Sequence, residues 1–382
     1  MLAACSLGGA GHLQPLVPFL DAAKHSGSET LVVAPPALGE MVRVTGHSFA
    51  AGGEPPESLV APIREQLPVM SPAEASRLGN RELFGALATD AMLAPMRETI
   101  ASWQPDVILR DPCEYASAVV ASESAIPFAH VAIGLAEVEW GSMDVAAPAL
   151  EARRRGLVQS LRASTYLTRF PATLDPSRFP RTRRYDGWIP SEPQSTLPEW
   201  WTRSDVPLVY LTFGTVLGHM SIAGELYEAA LRAVAELDAN VLLTVGRLFD
   251  PESLGPMPPN VHVEPWVDQH IVLSHADIVV CHGGSGTTYG ALRAGVPVVV
   301  VPLFADQHMN ARKVVESKTG VVLDSRGNRP LDPSSLVSAV KSVLTDGSYR
   351  ARAQRVSNEM ASEPSCAERL GELISASSAS SP

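Results

Sequence analysis

Lysine, cysteine and long apolar runs are all scarce in this chain, and each shortage excludes something. Of its 30 basic residues only Lys24, Lys313, Lys318 and Lys341 are lysine. Those 30 stand against 41 acidic residues, for a net charge of −11, which excludes a nucleic acid as partner. Any site for an anionic ligand must then be assembled locally, from backbone amides and a few Arg or His side chains. Cys5, Cys113, Cys281 and Cys366 are far apart and form no C-x-x-C pair. That argues against a zinc site or a disulfide framework and for a reducing, cytoplasmic setting. The longest apolar run, 296–304, is interrupted by Pro297 and Pro302 and is about half the length of a membrane span. The apolar start Met1–Cys5 lacks a basic flank, so it reads as a first strand and not as a signal peptide. Asp-x-Asp, the P-loop pattern and G-x-G-x-x-G are missing too, which removes the familiar motifs for metal-held nucleotides, NTPases and dinucleotides.

What is present is alternation. At 382 residues the chain suggests two domains, since one domain usually takes about 100–200 residues. Strand-like runs at 2–6, 29–34, 106–110 and 127–133 alternate with helical patterns at 13–25, 81–103 and 114–124. A second series of the same kind runs from Leu208 to the C-terminus, through strands ending at Phe213, Val245, Pro265, Cys281 and Pro302. Such β-α-β order predicts doubly wound parallel sheets, covered on both faces. Between them, 183–206 is rich in proline and polar residues and reads as a connection. The expected organisation is a Rossmann-like domain at 1–190, a linker at 191–206 and a second Rossmann-like domain at 207–360. A C-terminal helix and frayed tail follow at 361–382, with the helix able to pack back on the first domain. Two such domains facing one another would leave a cleft at the carboxyl ends of their strands.

The most informative segment is Asp277-Ile-Val-Val-Cys-His282-Gly-Gly-Ser-Gly-Thr-Thr288. A buried strand ends at His282, glycines follow at once, and a helix begins near Ser285. Glycine admits a ligand close to the backbone, and a helix N-terminus offers unpaired N–H groups to an anion. A diphosphate suits this loop, with His282, Thr287 and Thr288 as side-chain donors. A glycine-rich turn that merely packs well is the competing reading. In the first half, a glycine turn delivers His12 at the end of the first strand (Gly8-Gly-Ala-Gly-His12-Leu-Gln-Pro15), where an imidazole can serve as general base. Asp111, at the end of the strand Val107–Asp111, is the carboxylate suited to orient it. His130 lies in an apolar strand and reads as a core histidine.

Taken in order, Trp266-Val-Asp-Gln269, His282–Thr287, Gly295-Val-Pro297 and Ala305-Asp306-Gln307-His-Met-Asn310 resemble the donor motifs of family-1, GT-B-fold glycosyltransferases. The chain is similar to the macrolide, enediyne and aromatic-polyketide transferases of actinobacteria. That resemblance implies that Trp266 stacks on the nucleobase and Gln269 approaches the base or ribose. It implies that His282, Gly284, Ser285, Gly286, Thr287 and Thr215 hold the diphosphate, while Asp306 and Gln307 bind sugar hydroxyls. It also implies that His12 and Asp111 form the catalytic dyad of an inverting transfer. The sugar would pass from a dTDP- or UDP-sugar co-substrate, without a metal or other cofactor, to a small hydrophobic aglycone. A homodimer is the one protein partner this reading allows, and no membrane span is expected. Asp268 stands where the family often has proline, and an acidic ribose contact is missing, so the nucleobase stays open. Trp266 as a core residue and Asp306 as a helix N-cap are the structural alternatives. C-glycosylation of a phenolic polyketide, a nucleotide-sugar 2-epimerase and a non-catalytic partner with this fold are the functional ones. The stretches 52–80 and 134–145 show little regular pattern and are expected to shape an acceptor pocket, with Met70, Phe84, Trp140 and Met143 as apolar lining.

Overall fold

The computed structural model describes residues 1–7, 9–67, 70–187, 205–215, 217–219, 222–247, 249–323 and 331–378. The chain divides into two compact units: one from Met1 to Gly187 together with the segment from Glu363 onward, the other between them. Of the expected linker at 191–206, only 205 and 206 fall among the described residues.

The first unit is built on a seven-stranded sheet with strands β1 (Leu2–Ala4), β2 (Leu31–Ala34), β3 (Ser48–Ala51), β4 (Ile108–Arg110), β5 (Phe128–Val131), β6 (Thr165–Thr168) and β7 (Thr182–Arg184). Their spatial order is β3-β2-β1-β4-β5-β6-β7, and every pair is parallel. The strands read as unbroken apolar runs because both faces are covered. Leu2, Ala4, Val33 and Ile108 pack to one side, while Ala3, Val32 and Leu109 pack to the other. The C-terminal helix Cys366–Ser378 lays Cys366 and Leu370 into the second of these cores. It is tied down by Asp186 N–H donating to Pro364 O (2.8 Å) and Arg369 Nε donating to Arg184 O (2.7 Å).

The second unit repeats the plan with β8 (Leu208–Thr212), β9 (Asn240–Thr244), β10 (Val261–Glu264), β11 (Ile278–Cys281), β12 (Val298–Val300) and β13 (Gly320–Val322). Their order is β10-β9-β8-β11-β12-β13. Val209, Leu211, Leu243 and Val280 face one core, and Leu208, Tyr210, Leu242 and Cys281 face the other. Each sheet has one switch point, where strand order reverses: between β1 and β4 in the first, and between β8 and β11 in the second. In open α/β sheets the carboxyl ends of the strands beside such a point are where ligands bind.

Two expectations from the sequence fail locally. Residues 183 and 184, expected at the start of the connection, belong instead to the edge strand β7, since an edge tolerates arginines whose backbone alone pairs with β6. The patternless stretches are largely helical: Glu57–Gln66, Pro72–Leu78 and Ala136–Arg153. In the last of these the buried positions are Ala136, Glu139, Met143, Ala146 and Leu150. That is a regular helical stripe, but a glutamate and two alanines conceal it. Glu139 Oε1 accepts the N–H groups of Ile133 and Gly134, each at 2.8 Å. Burial outweighs those bonds and pushes its carboxyl up to about 8.

Candidate active site and glycine-rich loop

At the switch point of the first sheet, β1 and β4 run side by side with Ala4 opposite Arg110, so the residues just beyond each strand meet. Beyond β1, Ser6 leads into a turn with Gly9 at φ 70° and then the single helical turn Ala10–Leu13, which carries His12. Beyond β4 comes Asp111, anchored by its N–H to Ala4 O at 3.0 Å. His12 Nδ1 lies 3.0 Å from Asp111 Oδ1. The same carboxylate accepts Ser6 N–H at 2.5 Å, Cys113 N–H at 2.8 Å and Ser6 Oγ–H at 3.2 Å. Asp111 is fully buried and the His12 side chain 15% exposed. Burial alone would raise the Asp111 carboxyl, but the adjoining imidazole and the Ser6 and Cys113 amides prevail and hold it below the usual carboxylate range.

An ionised carboxylate can only accept, so Nδ1 of neutral His12 carries the proton and Nε2 keeps its lone pair. That is the tautomer of a general base. Phe84 stacks on the imidazole, with ring centroids 5.8 Å apart and planes at 18°. It comes from a ten-residue π-helical segment, Gly79–Ala88, a rare geometry that often occurs at functional sites. Among the other residues expected to line an acceptor pocket, Met143 is wholly buried. Trp140 packs on Phe179 at 5.1 Å and carries the Arg162 guanidinium at 4.4 Å. Of the residues expected to line the pocket, Phe84 is the one with a ring stacked on the dyad.

The second switch point lies beside the carboxyl ends of β8 and β11. Beyond β8, Gly214 has φ 80° and Thr215 is exposed. Beyond β11, His282 is wedged between two glycines. A methyl at Gly214 would stand 2.7 Å from His282 Cε1, and one at Gly284 would overlap Nε2. Burial pushes the His282 imidazole down to about 4, so near neutral pH it is an uncharged donor or acceptor. Gly284 caps the helix Ser285–Arg293, whose first amides, at Ser285, Gly286 and Thr287, have no intrahelical partner by construction. Gly286 is exposed, while Ser285 and Thr287 are buried.

Asp306 stands at the N-cap of the helix Gln307–Ser317, but its side chain makes no capping bond there. Its Oδ2 accepts from Ser285 Oγ (2.9 Å) and from Asn310 Nδ2 (3.2 Å). Asn310 Nδ2 also donates to Gly283 O (2.8 Å) and Ser285 Oγ (3.0 Å). Gln307 is buried, and its Oε1 accepts the amides of Leu303 (2.7 Å) and Phe304 (2.9 Å). These bonds hold a turn whose next residue, Ala305, has φ 54°, a conformation that an L-residue keeps only when its surroundings enforce it.

Trp266 is 50% exposed and so is not a core residue. One face of its indole carries the Arg247 guanidinium at 4.9 Å. Gln269 turns its amide nitrogen toward the helix Ser285–Arg293, where a methyl at Gly290 would lie 2.8 Å from it. Asp268 caps the short helix Gln269–Leu273 through His270 N–H. His130 is fully buried against Tyr166 and Phe179, as expected. Sequence reasoning missed Asn310, Arg247 and Ser6. The first could have been found from its spacing, because positions 306 and 310 share a helix face. Arg247 and Ser6 gave no signal of their own.

A packing prediction follows from the glycines around His282. Gly284→Ala should push the imidazole off its seat and weaken nucleoside diphosphate binding by about tenfold or more, the effect of losing one charge-assisted hydrogen bond. Calorimetric titration of the variant checks this, and unchanged affinity would show that His282 is not part of the anion site.

Two doubly wound parallel-sheet units, each with polar residues gathered at its own switch point, make up the GT-B fold. Family models described as the N-terminal and C-terminal domains of erythromycin biosynthesis protein CIII-like proteins match residues 21–206 and 228–376. The chain is 31% identical over 383 residues to the elloramycin glycosyltransferase ElmGT of Streptomyces olivaceus, covering 96% of this chain and 94% of that one. It is 30% identical over 372 residues to the L-demethylnoviosyl transferase of Streptomyces niveus, covering 94% and 93%. Among solved structures it resembles glycosyltransferase VinC in complex with dTDP, with TM-score 0.76, 23% identity and 99% and 100% of the two chains covered. It also resembles the spinosyn rhamnosyltransferase SpnG complexed with thymidine diphosphate, with TM-score 0.79, 22% identity and 97% and 99% covered. The chain belongs to the EryCIII-like family of natural-product glycosyltransferases. No helix among the described residues is long and apolar enough to cross a membrane.

Proposed function

We propose that this glycosyltransferase moves a sugar from a dTDP-sugar to a hydroxyl group of a small hydrophobic natural-product aglycone, with inversion at the anomeric carbon. The observation that carries the reading is the 3.0 Å contact between His12 Nδ1 and a buried, fourfold hydrogen-bonded Asp111. In the proposed step His12 Nε2 takes the acceptor's hydroxyl proton while the oxygen attacks the anomeric carbon. The bond from that carbon to the diphosphate breaks, and its electron pair leaves with the diphosphate. Asp111 stabilises the imidazolium formed.

The helix start at Gly284, Ser285, Gly286 and Thr287, with His282 and Thr215, would receive the leaving diphosphate. Preorganised donors of this kind are worth about 3–4 kcal/mol each at a developing charge. Trp266 would offer its open indole face to the base, and Gln269 would meet the base or ribose. Asp306 and the Gln307 amide nitrogen, whose oxygen is already committed, would meet the sugar hydroxyls. No role in this scheme is assigned to a metal. Thymidine diphosphate in the VinC and SpnG structures supports dTDP over UDP.

The test is a panel of dTDP- and UDP-sugars crossed with aromatic-polyketide and macrolide aglycones, followed by product mass spectrometry and NMR of the new linkage. A β-linked product from an α-linked dTDP-sugar is expected. Retained anomeric configuration, or turnover of donor to an isomer without acceptor, would overturn the proposal.

A further inference from the structure

The dyad has a third neighbour that the reaction does not use. Ligand atoms of His12, Asp111 and Cys113 all lie within 4.8 Å of one another, and this is the one such group among the described residues. We propose that these three side chains form a binding site for a single soft divalent cation of the Zn²⁺ class, whose occupancy switches the enzyme off.

An imidazole nitrogen, a carboxylate oxygen and a thiolate sulfur make up a donor set that Zn²⁺ prefers to Mg²⁺ or Ca²⁺. With metal–ligand distances of about 2.0–2.3 Å, tetrahedral ligands stand about 3.3–3.8 Å apart. His12 and Asp111 are already in contact at 3.0 Å. Cys113 would close the remaining gap by side-chain rotation alone, because its backbone is pinned by the 2.8 Å bond from its N–H to Asp111 Oδ1. The residue is half-buried and borders a small cavity shared with Ser6, Leu7, Met92 and Tyr115. The thiol is therefore reachable, whereas Cys5, Cys281 and Cys366 are buried.

Charge favours the same ion. The Asp111 carboxylate and a Cys113 thiolate together neutralise a divalent cation, so the loaded site is neutral in a largely buried place where the empty one carries the carboxylate charge. Binding releases the thiol proton to solvent, moves the imidazole proton from Nδ1 to Nε2 so that Nδ1 can bind the cation and Nε2 can no longer act as base, and leaves a fourth coordination position to water. No sequence spacing announces this set. Asp111 and Cys113 are two residues apart, but His12 joins them only because β1 lies beside β4.

The inference uses the dyad geometry, and its inhibitory consequence rests on His12 being the base. The full chain is titrated with Co²⁺ as a spectroscopic probe and then with Zn²⁺ as competitor. One Co²⁺ per chain is expected, with a near-ultraviolet thiolate-to-cobalt charge-transfer band that Zn²⁺ erases and Cys113→Ser lacks. Zn²⁺ should inhibit transfer, and Cys113→Ser should raise the half-inhibiting concentration about tenfold or more, each variant being compared with its own zinc-free rate. In the unsubstituted chain Zn²⁺ should also slow iodoacetamide alkylation of Cys113, read by peptide mass spectrometry, so the result does not depend on a variant that folds. A missing band, a band that survives Cys113→Ser, or alkylation at an unchanged rate would overturn the proposal. Cobalt binding requires no turnover, so a failed base assignment would leave the metal result standing and remain distinguishable from it.

Discussion

Replacing His12 with Ala is expected to lower kcat for sugar transfer by about 10²–10⁴-fold, the range that a positioned general base supplies, while nucleotide affinity stays near its starting value. The loss should fall on kcat because the imidazole meets the acceptor proton only as the bond forms. Asp111→Asn should cost a comparable amount. An amide in place of the carboxylate cannot stabilise the imidazolium, and its NH₂ group would compete for the Nδ1 position. Because the two act as a unit, the double variant should be no slower than the slower single variant. Stopped-flow or discontinuous measurement of product with saturating donor decides the matter. Transfer at the original rate by His12→Ala would sink the assignment, as would additive losses in the double variant. The carboxylate left behind in His12→Ala stays hydrogen-bonded to Ser6 and Cys113, so the variant should fold.

Asn310 should be the most sensitive position around the glycine-rich loop. Its amide nitrogen joins Gly283 O, Ser285 Oγ and Asp306 Oδ2, linking the start of one helix to the start of the next. Asn310→Ala would leave the Gly283 carbonyl without this donor in a buried setting, at about 1–3 kcal/mol. That should lower Tm and weaken nucleoside diphosphate binding together. Asn310→Asp changes almost no volume, yet it sets a second carboxylate beside Asp306 and a carbonyl. It should therefore be the worse of the two if polarity, and not packing, holds the loop. Thermal unfolding and calorimetric titration of both variants check this. If Asn310→Asp behaved like the original chain, the network would be incidental to the site.

Much of this site was legible because its parts are local. His282–Thr287 is a strand end, a turn and a helix start in immediate succession, and Asp306–Asn310 is one helical turn. Such segments declare their geometry through glycine spacing and i,i+4 position. The phosphate-loop reading therefore stands on residues a few positions apart. Helices with an unmixed apolar stripe were legible as well. The helix Ala136–Arg153 was not, since its buried stripe includes Glu139, an acid that stays inside by accepting two backbone amides and sitting near 8.

By itself the sequence determined the alternation of strands and helices, the family, and the identity of the residues that stand at strand ends. Only the tertiary structure decided which of those ends meet. His12 reaches Asp111, 99 positions away, because β1 and β4 are neighbours at the sheet's switch point. The same adjacency brings in Ser6 and Cys113, which no motif marked. Phe84 reaches His12 because a π-helical segment turns it there, and Trp266 shares its indole with Arg247 from a different loop. The physical reason is common to all of these. Hydrogen-bond geometry within a turn is set by residues next to one another, whereas contacts between turns depend on strand order and register, to which the whole core contributes.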